Sequence, residues 1–140
     1  MEADAISVVT RLYNAMNAHD LDAFVACFSP DYRSEQPAHP NRAFDGYDQV
    51  RDNWSAMFAS VPDIHAELLR VSADRDTVWS ESAWSGRRQD GSMLDMRGVT
   101  IFGIDNGRIT WGRLYMEETE SNGAGIDQTV QHLTRTSQET

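Results

Sequence analysis

The sequence predicts an α+β fold: a cone-shaped barrel in which three N-terminal helices pack in the concave face of a strongly bent, mostly antiparallel sheet. Three observations predict it. Apolar side chains recur at a helical period as far as Phe58, and at a period of two from Ile64 onward. Turn-forming clusters then divide the second half into a four-strand meander. Two glycines, Gly98 and Gly103, lie inside the longest of those strands. Glycine there weakens a flat sheet but permits a sharp bend.

The elements follow in order. Ile6, Val8, Val9, Leu12, Tyr13 and Met16 form the apolar stripe of a first helix over residues 4–18. Asn17 to Asp20 break it, and Asp20 is suited to cap a second helix, expected from Leu21 to Phe28 with Phe24 and Phe28 one turn apart. Ser29-Pro30 stops that helix. Tyr32 to Gln36 reads as a short strand ended by Pro37, and residues 37–45 as a loop. A third helix follows Gly46, with Val50, Trp54, Met57 and Phe58 on one face. Strands are expected over 64–71, 77–85, 93–104 and 108–118. Asp90-Gly91 and Asp105-Asn106-Gly107 mark two of the turns between them. Residues 1–120 would form the cone. Residues 121–140 would form a linker and a short C-terminal helix or tail, whose Ile126, Val130 and Leu133 must lean on something.

Composition narrows the function. A chain of 140 residues fits one domain and can bury a core without disulfides or a metal. Its net charge of −10 opposes phosphate backbones and anionic lipid, so neither nucleic acid nor a membrane is an expected partner. No apolar run is long enough to span a bilayer, and the acidic N-terminus lacks a signal-peptide pattern. A cytoplasmic location is the resulting expectation. Cys27, between Ala26 and Phe28, reads as a buried small hydrophobe. His19, His39, His65 and His132 are scattered without metal-ligand spacing, so no metal is expected. No glycine-rich phosphate loop and no Gly-x-Ser-x-Gly elbow occurs. No cofactor is expected.

The segment VVTRLYNAMNAHDLDAFVACFSPDYRSEQP resembles the opening of proteins in the nuclear transport factor two superfamily. It is similar to ketosteroid isomerases and SnoaL-like polyketide cyclases. The stretch FGIDNGRITWGRLYMEE resembles the SnoaL-like closing hairpin. The resemblance covers about residues 5–118 and implies the cone fold with a central pocket. It speaks less to activity, since this fold hosts many functions. The ketosteroid isomerase base falls on Gln36, its oxyanion-binding tyrosine on Leu12, and its protonated aspartate near Thr100. A glutamine is no base, and a leucine donates no hydrogen bond. The Asp-Arg-Asp network of limonene epoxide hydrolase falls on Ser82, Trp84 and Leu114. Neither residue set is present.

Alternation along the strands then assigns the pocket. With Gln36 pointing inward, so do Tyr32 and Ser34. The same register brings in Val78, Ser80, Ser82 and Trp84, then Met96, Gly98, Thr100 and Phe102, and finally Gly112, Leu114 and Met116. Asn53, Trp54 and Met57 reach in from the third helix. The expected ligand-binding set is Tyr32, Ser34, Asn53, Trp54, Met57, Ser82, Trp84, Thr100, Phe102 and Met116. Such a lining suits an apolar or polycyclic molecule held by a few polar groups. The same stripe also reads as plain, filled core. A slip of one residue would exchange the faces and bring Glu81 and Arg97 inside.

His39 lies near the expected pocket mouth, where a neutral imidazole would serve as base with Gln36 orienting a carbonyl. The other reading is an exposed loop histidine. On the opposite sheet face Trp79, Arg97, Trp111, Arg113 and Tyr115 read either as a homodimer surface or as a solvated face with surface ion pairs. The function implied by the resemblance is binding of a small apolar molecule, with cofactor-free acid-base catalysis of isomerase, cyclase or hydrolase type. The alternative is a non-catalytic binding or dimeric interaction module.

Overall fold

The computed structural model describes residues 2–135. Helix α1 (Glu2–Asn17) is followed by α2 (Leu21–Ala26), strand β1 (Phe28–Glu35), a 3-10 turn (Pro40–Arg42), the two-residue strand β2 (Phe44–Asp45) and helix α3 (Tyr47–Ser60). The meander is β3 (His65–Asp74), β4 (Thr77–Arg87), β5 (Met93–Asp105) and β6 (Arg108–Glu118), and α4 (Ile126–Thr134) comes last. The six strands form one curled, unclosed sheet in the order β2-β1-β6-β5-β4-β3. All neighbours are antiparallel except β1 and β6, which run parallel.

Local chemistry explains the punctuation. The Asp20 carboxylate accepts the Ala23 backbone N–H at 3.1 Å, capping α2. Asn17 clamps the end of α1 to β3, its amide donating to the Ala66 carbonyl at 3.0 Å and its oxygen accepting the Ala66 N–H at 2.7 Å. The β5–β6 hairpin turns through Asn106 and Gly107, both with positive φ, the geometry that Asn-Gly favours. At Gly98 a Cβ would lie 1.9 Å from the Tyr115 carbonyl oxygen, so only glycine lets β5 approach β6 there.

Two expected boundaries move. Helix α2 stops at Ala26, and Phe28 opens β1 instead of closing the helix. Phe24 and Phe28 stay in contact, with ring centroids 5.6 Å apart, because both face the same core. Strand β1 also includes Pro30, in the stretch between Phe28 and Arg33 where the pairing with β6 shifts register. An amide without N–H is tolerated there. Strand β3 runs on to Asp74, past a bulge between Leu68 and Arg70.

The main core lies between α1, α2 and the concave face, with Val9, Met16, Phe24, Val78, Ile109 and Phe102 among its buried members. Val61, Ile64 and Leu94 form a smaller cluster at the end of α3. Helix α4 forms, but Ile126 and Leu133 are three-quarters exposed, and its apolar side leans on nothing among the described residues. No helix among the described residues is long and apolar enough to cross a membrane.

Candidate functional site

The concave face carries the side chains that alternation brings inward. Val78, Ser80, Ser82 and Trp84 on β4, and Thr100 and Phe102 on β5, are buried. Trp79, Glu81, Arg97, Trp111, Arg113 and Tyr115 face outward and are exposed. The pairing of Ser82 with Gly98 and of Glu81 with Val99 fixes that register. Glu81 and Arg97 therefore stay outside the cone.

Between helices and sheet lies a cavity of about 210 Å³. Its floor is built by Leu12, Tyr13 and Met16 of α1, Phe24 of α2, and Phe28, Tyr32 and Ser34 of β1. Trp84, Thr100 and Phe102 form the sheet wall. Partly exposed residues make the rim: Gln36 and Phe44 before α3, Trp54, Met57 and the exposed Asn53 on α3, and Met96 and Leu114 on β5 and β6. Gly112 makes room for this arrangement. A Cβ there would meet the Tyr32 hydroxyl at 2.5 Å and the Phe102 ring at 2.8 Å.

The polar groups in the wall are neutral, and most are paired. The Tyr13 hydroxyl bonds to Ser82 Oγ, and Ser80 Oγ lies 2.6 Å from Thr100 Oγ1. Burial pushes the Tyr32 phenol up to about 12, so it remains protonated at any physiological pH. Gln36 Oε1 accepts from Arg42 at 2.9 Å, and Asn53 Oδ1 accepts from Gln49 at 2.8 Å. Trp84 Nε1, fully buried, has no hydrogen-bond partner among the described residues. No carboxylate, histidine, lysine or arginine belongs to the lining among the described residues. Nor do three His, Cys, Asp or Glu side chains gather there in a metal-holding group.

The structure thus brings Tyr32, Ser34, Gln36, Asn53, Trp54, Met57, Trp84, Thr100 and Phe102 to one wall. Ser82 and Met116 lie in the core behind it, Ser82 occupied by Tyr13. His39 is not in the wall. Its backbone N–H reaches the Gln36 carbonyl at 2.7 Å, but its Nε2 contacts the Glu117 carboxylate on the outer face. That hydrogen bond holds the Glu117 carboxyl below its ordinary range. The α1 trio and Phe44 are wall residues that strand alternation does not reveal. The Leu12–Met16 spacing marks a helix face, and nothing periodic marks Phe44.

Comparison with known proteins agrees with this geometry. A family model described as the SnoaL-like domain matches residues 9–111. No curated protein sequence matches the chain. Among solved structures, a candidate SnoaL-like polyketide cyclase from Jannaschia sp. CCS1 aligns with a TM-score of 0.72 at 23% identity, covering 83% of this chain and 87% of its own. A Mycobacterium tuberculosis epoxide hydrolase, like limonene epoxide hydrolase in type, gives 0.72 at 22% identity, covering 83% and 84%. A second M. tuberculosis protein, solved in complex with estradiol-17β-hemisuccinate, gives 0.70 at 17% identity, covering 82% and 94%. These likenesses concern the fold. The family match spans most of the chain, from the first helix into the last strand of the cone, and this protein therefore belongs to the SnoaL-like domain family.

Proposed function

We propose that the protein binds a small, uncharged, largely apolar molecule of one or two fused rings inside the cone. The observation that carries this reading is a cavity of about 210 Å³ lined by aromatic and sulfur-bearing side chains with no ionised group in its wall. An apolar cavity of about 150 Å³ is enough to hold benzene. An anion would leave water for a site that offers no countercharge, which costs far more than neutral transfer. The complex of a same-fold protein with a steroid ester is in keeping with an apolar occupant.

The test titrates 2-methylnaphthalene and 2-naphthoate while following tryptophan emission, since Trp54 and Trp84 stand 5.5 Å apart at the wall. The neutral compound is expected to quench saturably, and the carboxylate to bind at least about tenfold more weakly. Equal binding of both, or no quenching by either, would discard the reading. Catalysis with His39 as base would need the imidazole to leave Glu117 and turn inward. If a neutral ligand is turned over, His39→Ala decides whether that movement occurs: turnover that survives the change removes the histidine from the chemistry.

We further propose that a second copy of the chain covers the outer sheet face. Trp79, Trp111 and Tyr115 are 49%, 37% and 41% exposed, more aromatic surface than a free face usually leaves in water. Opposite charges interleave there, as in Arg113 with Glu35 at 3.4 Å and Arg70 with Glu81 at 3.7 Å, so the face is near neutral on a chain of net charge −10. A near-neutral face of that kind opposes its own copy least. Sedimentation should give a dimer at micromolar concentration, and Arg97→Glu should weaken it. A monomer under those conditions refutes the pairing.

A further inference from the structure

We propose that the indole N–H of Trp84 is a ligand-binding donor, and that the cone accordingly selects ring molecules carrying one carbonyl oxygen. The inference rests on the cavity being a ligand site and adds the chemical class of the occupant.

Trp84 stands on β4 with only 7% of its surface exposed. Its cross-strand neighbours are Ala66 on β3 and Met96 on β5, and the Trp54 ring meets it nearly edge-on. None of those side chains offers an oxygen. Buried tryptophan N–H groups normally find an acceptor, and an orphan donor costs stability. The oxygens elsewhere in the wall are engaged: Thr100 with Ser80, Tyr13 with Ser82, Gln36 with Arg42, Asn53 with Gln49. A lone water would satisfy the indole only with two or more further polar partners, and the neighbouring side chains are apolar. An occupant of the cavity is left to supply the acceptor. A carboxylate or phosphate would bring a charge that one neutral donor cannot compensate. A ketone or ester carbonyl brings two lone pairs on an otherwise greasy body.

The experiment uses the whole chain and two probes of one shape, 1-tetralone and tetralin, which differ by a carbonyl. In the wild-type protein the ¹⁵N-labelled indole resonance of Trp84, assigned through its proximity to Trp54, should move downfield with tetralone and stay near its free position with tetralin. The infrared carbonyl band of bound tetralone should fall in frequency. Trp84→Phe should weaken tetralone about fivefold, the effect of one neutral hydrogen bond, and leave tetralin within about twofold. If both probes bind the wild type but the indole resonance ignores the carbonyl, the Trp84 assignment is wrong and the cavity reading stands. An equal loss for both probes in Trp84→Phe likewise makes the ring mere packing. If the wild type binds neither probe, the cavity reading falls and takes this inference with it. Should the variant not fold, the two wild-type spectra decide the matter.

Discussion

The two faces of the curled sheet come from the same four strands, residue by alternate residue, yet they solve opposite problems. The concave face hides its few hydroxyls and pairs them with one another, Ser80 with Thr100 and Ser82 with Tyr13. The convex face leaves its charges in water and sets opposite signs side by side, Arg97 4.0 Å from Asp95 and Arg113 3.4 Å from Glu35. Buried polar groups are costly when orphaned, whereas exposed pairs contribute little. The difference teaches that the inner face holds the energetic constraints and the outer face is comparatively free to change. A substitution should therefore be judged first by which side of the pleat it falls on.

The sharpest way to break that comparison is Gly112→Leu. The new side chain would collide with Tyr32 and Phe102, and we expect a loss of about 3 kcal/mol by urea unfolding. A loss below about 1 kcal/mol would mean the inner face yields more readily than its packing implies. Alkali should act next. Tyr32 titrates at about 12 in the folded protein against 10.0 for a free phenol. Its folded value is raised, so the stability it contributes is complete below pH 10 and drains away as pH rises toward 12. We expect about 2 kcal/mol from this group, and a tyrosinate absorbance step at about pH 12 that Tyr32→Phe removes.

Thr100→Val should cost about 1 to 2 kcal/mol because it strands Ser80 Oγ, and adding Ser80→Ala should restore part of it. If the double variant is worse than the sum of the single changes, the hydroxyl pair is not what orders this layer. On the other face, Trp79→Ser should change monomer stability by no more than about 0.5 kcal/mol. A cost like that of Gly112→Leu would erase the contrast. The smallest effect concerns Glu117, whose carboxyl His39 holds below its usual 4.5. Any contribution from this exposed pair is in place above pH 4.5 and disappears as pH falls through the lowered value. Glu117→Gln should therefore differ slightly from wild type at pH 6 and match it at pH 3.

The sequence made the two faces legible because a strand offers only two choices, and Ser80, Ser82 and Trp84 all take the same one. It made the meander legible because Asn106-Gly107 demands a turn of known type. What it concealed was contact between distant segments. The pairing of β1 with β6 follows from no local pattern, and β2 is too short for any periodicity to announce Phe44 at the rim. Phe28 mimicked a helical spacing because a strand entering the same core presents the same apolar face. His39 has a position in sequence near Gln36, but only the neighbouring strand supplies Glu117 and draws the ring outward. The orphan state of Trp84 depends on which neighbours lack oxygens, which no single stretch of sequence records. The helix at Ile126 was legible, but not what covers it.

The parallel pairing of β1 with β6 has a consequence for the order of events during synthesis. Ser34 emerges from the ribosome early, but the Gly112 it must lie beside comes out far later. Until then the nascent chain holds an unmated edge and a half-built hollow, with aromatic rings looking for cover. The domain is thus a late-closing one, and a factor that shelters unfinished chains would find its work in the interval before that last strand arrives.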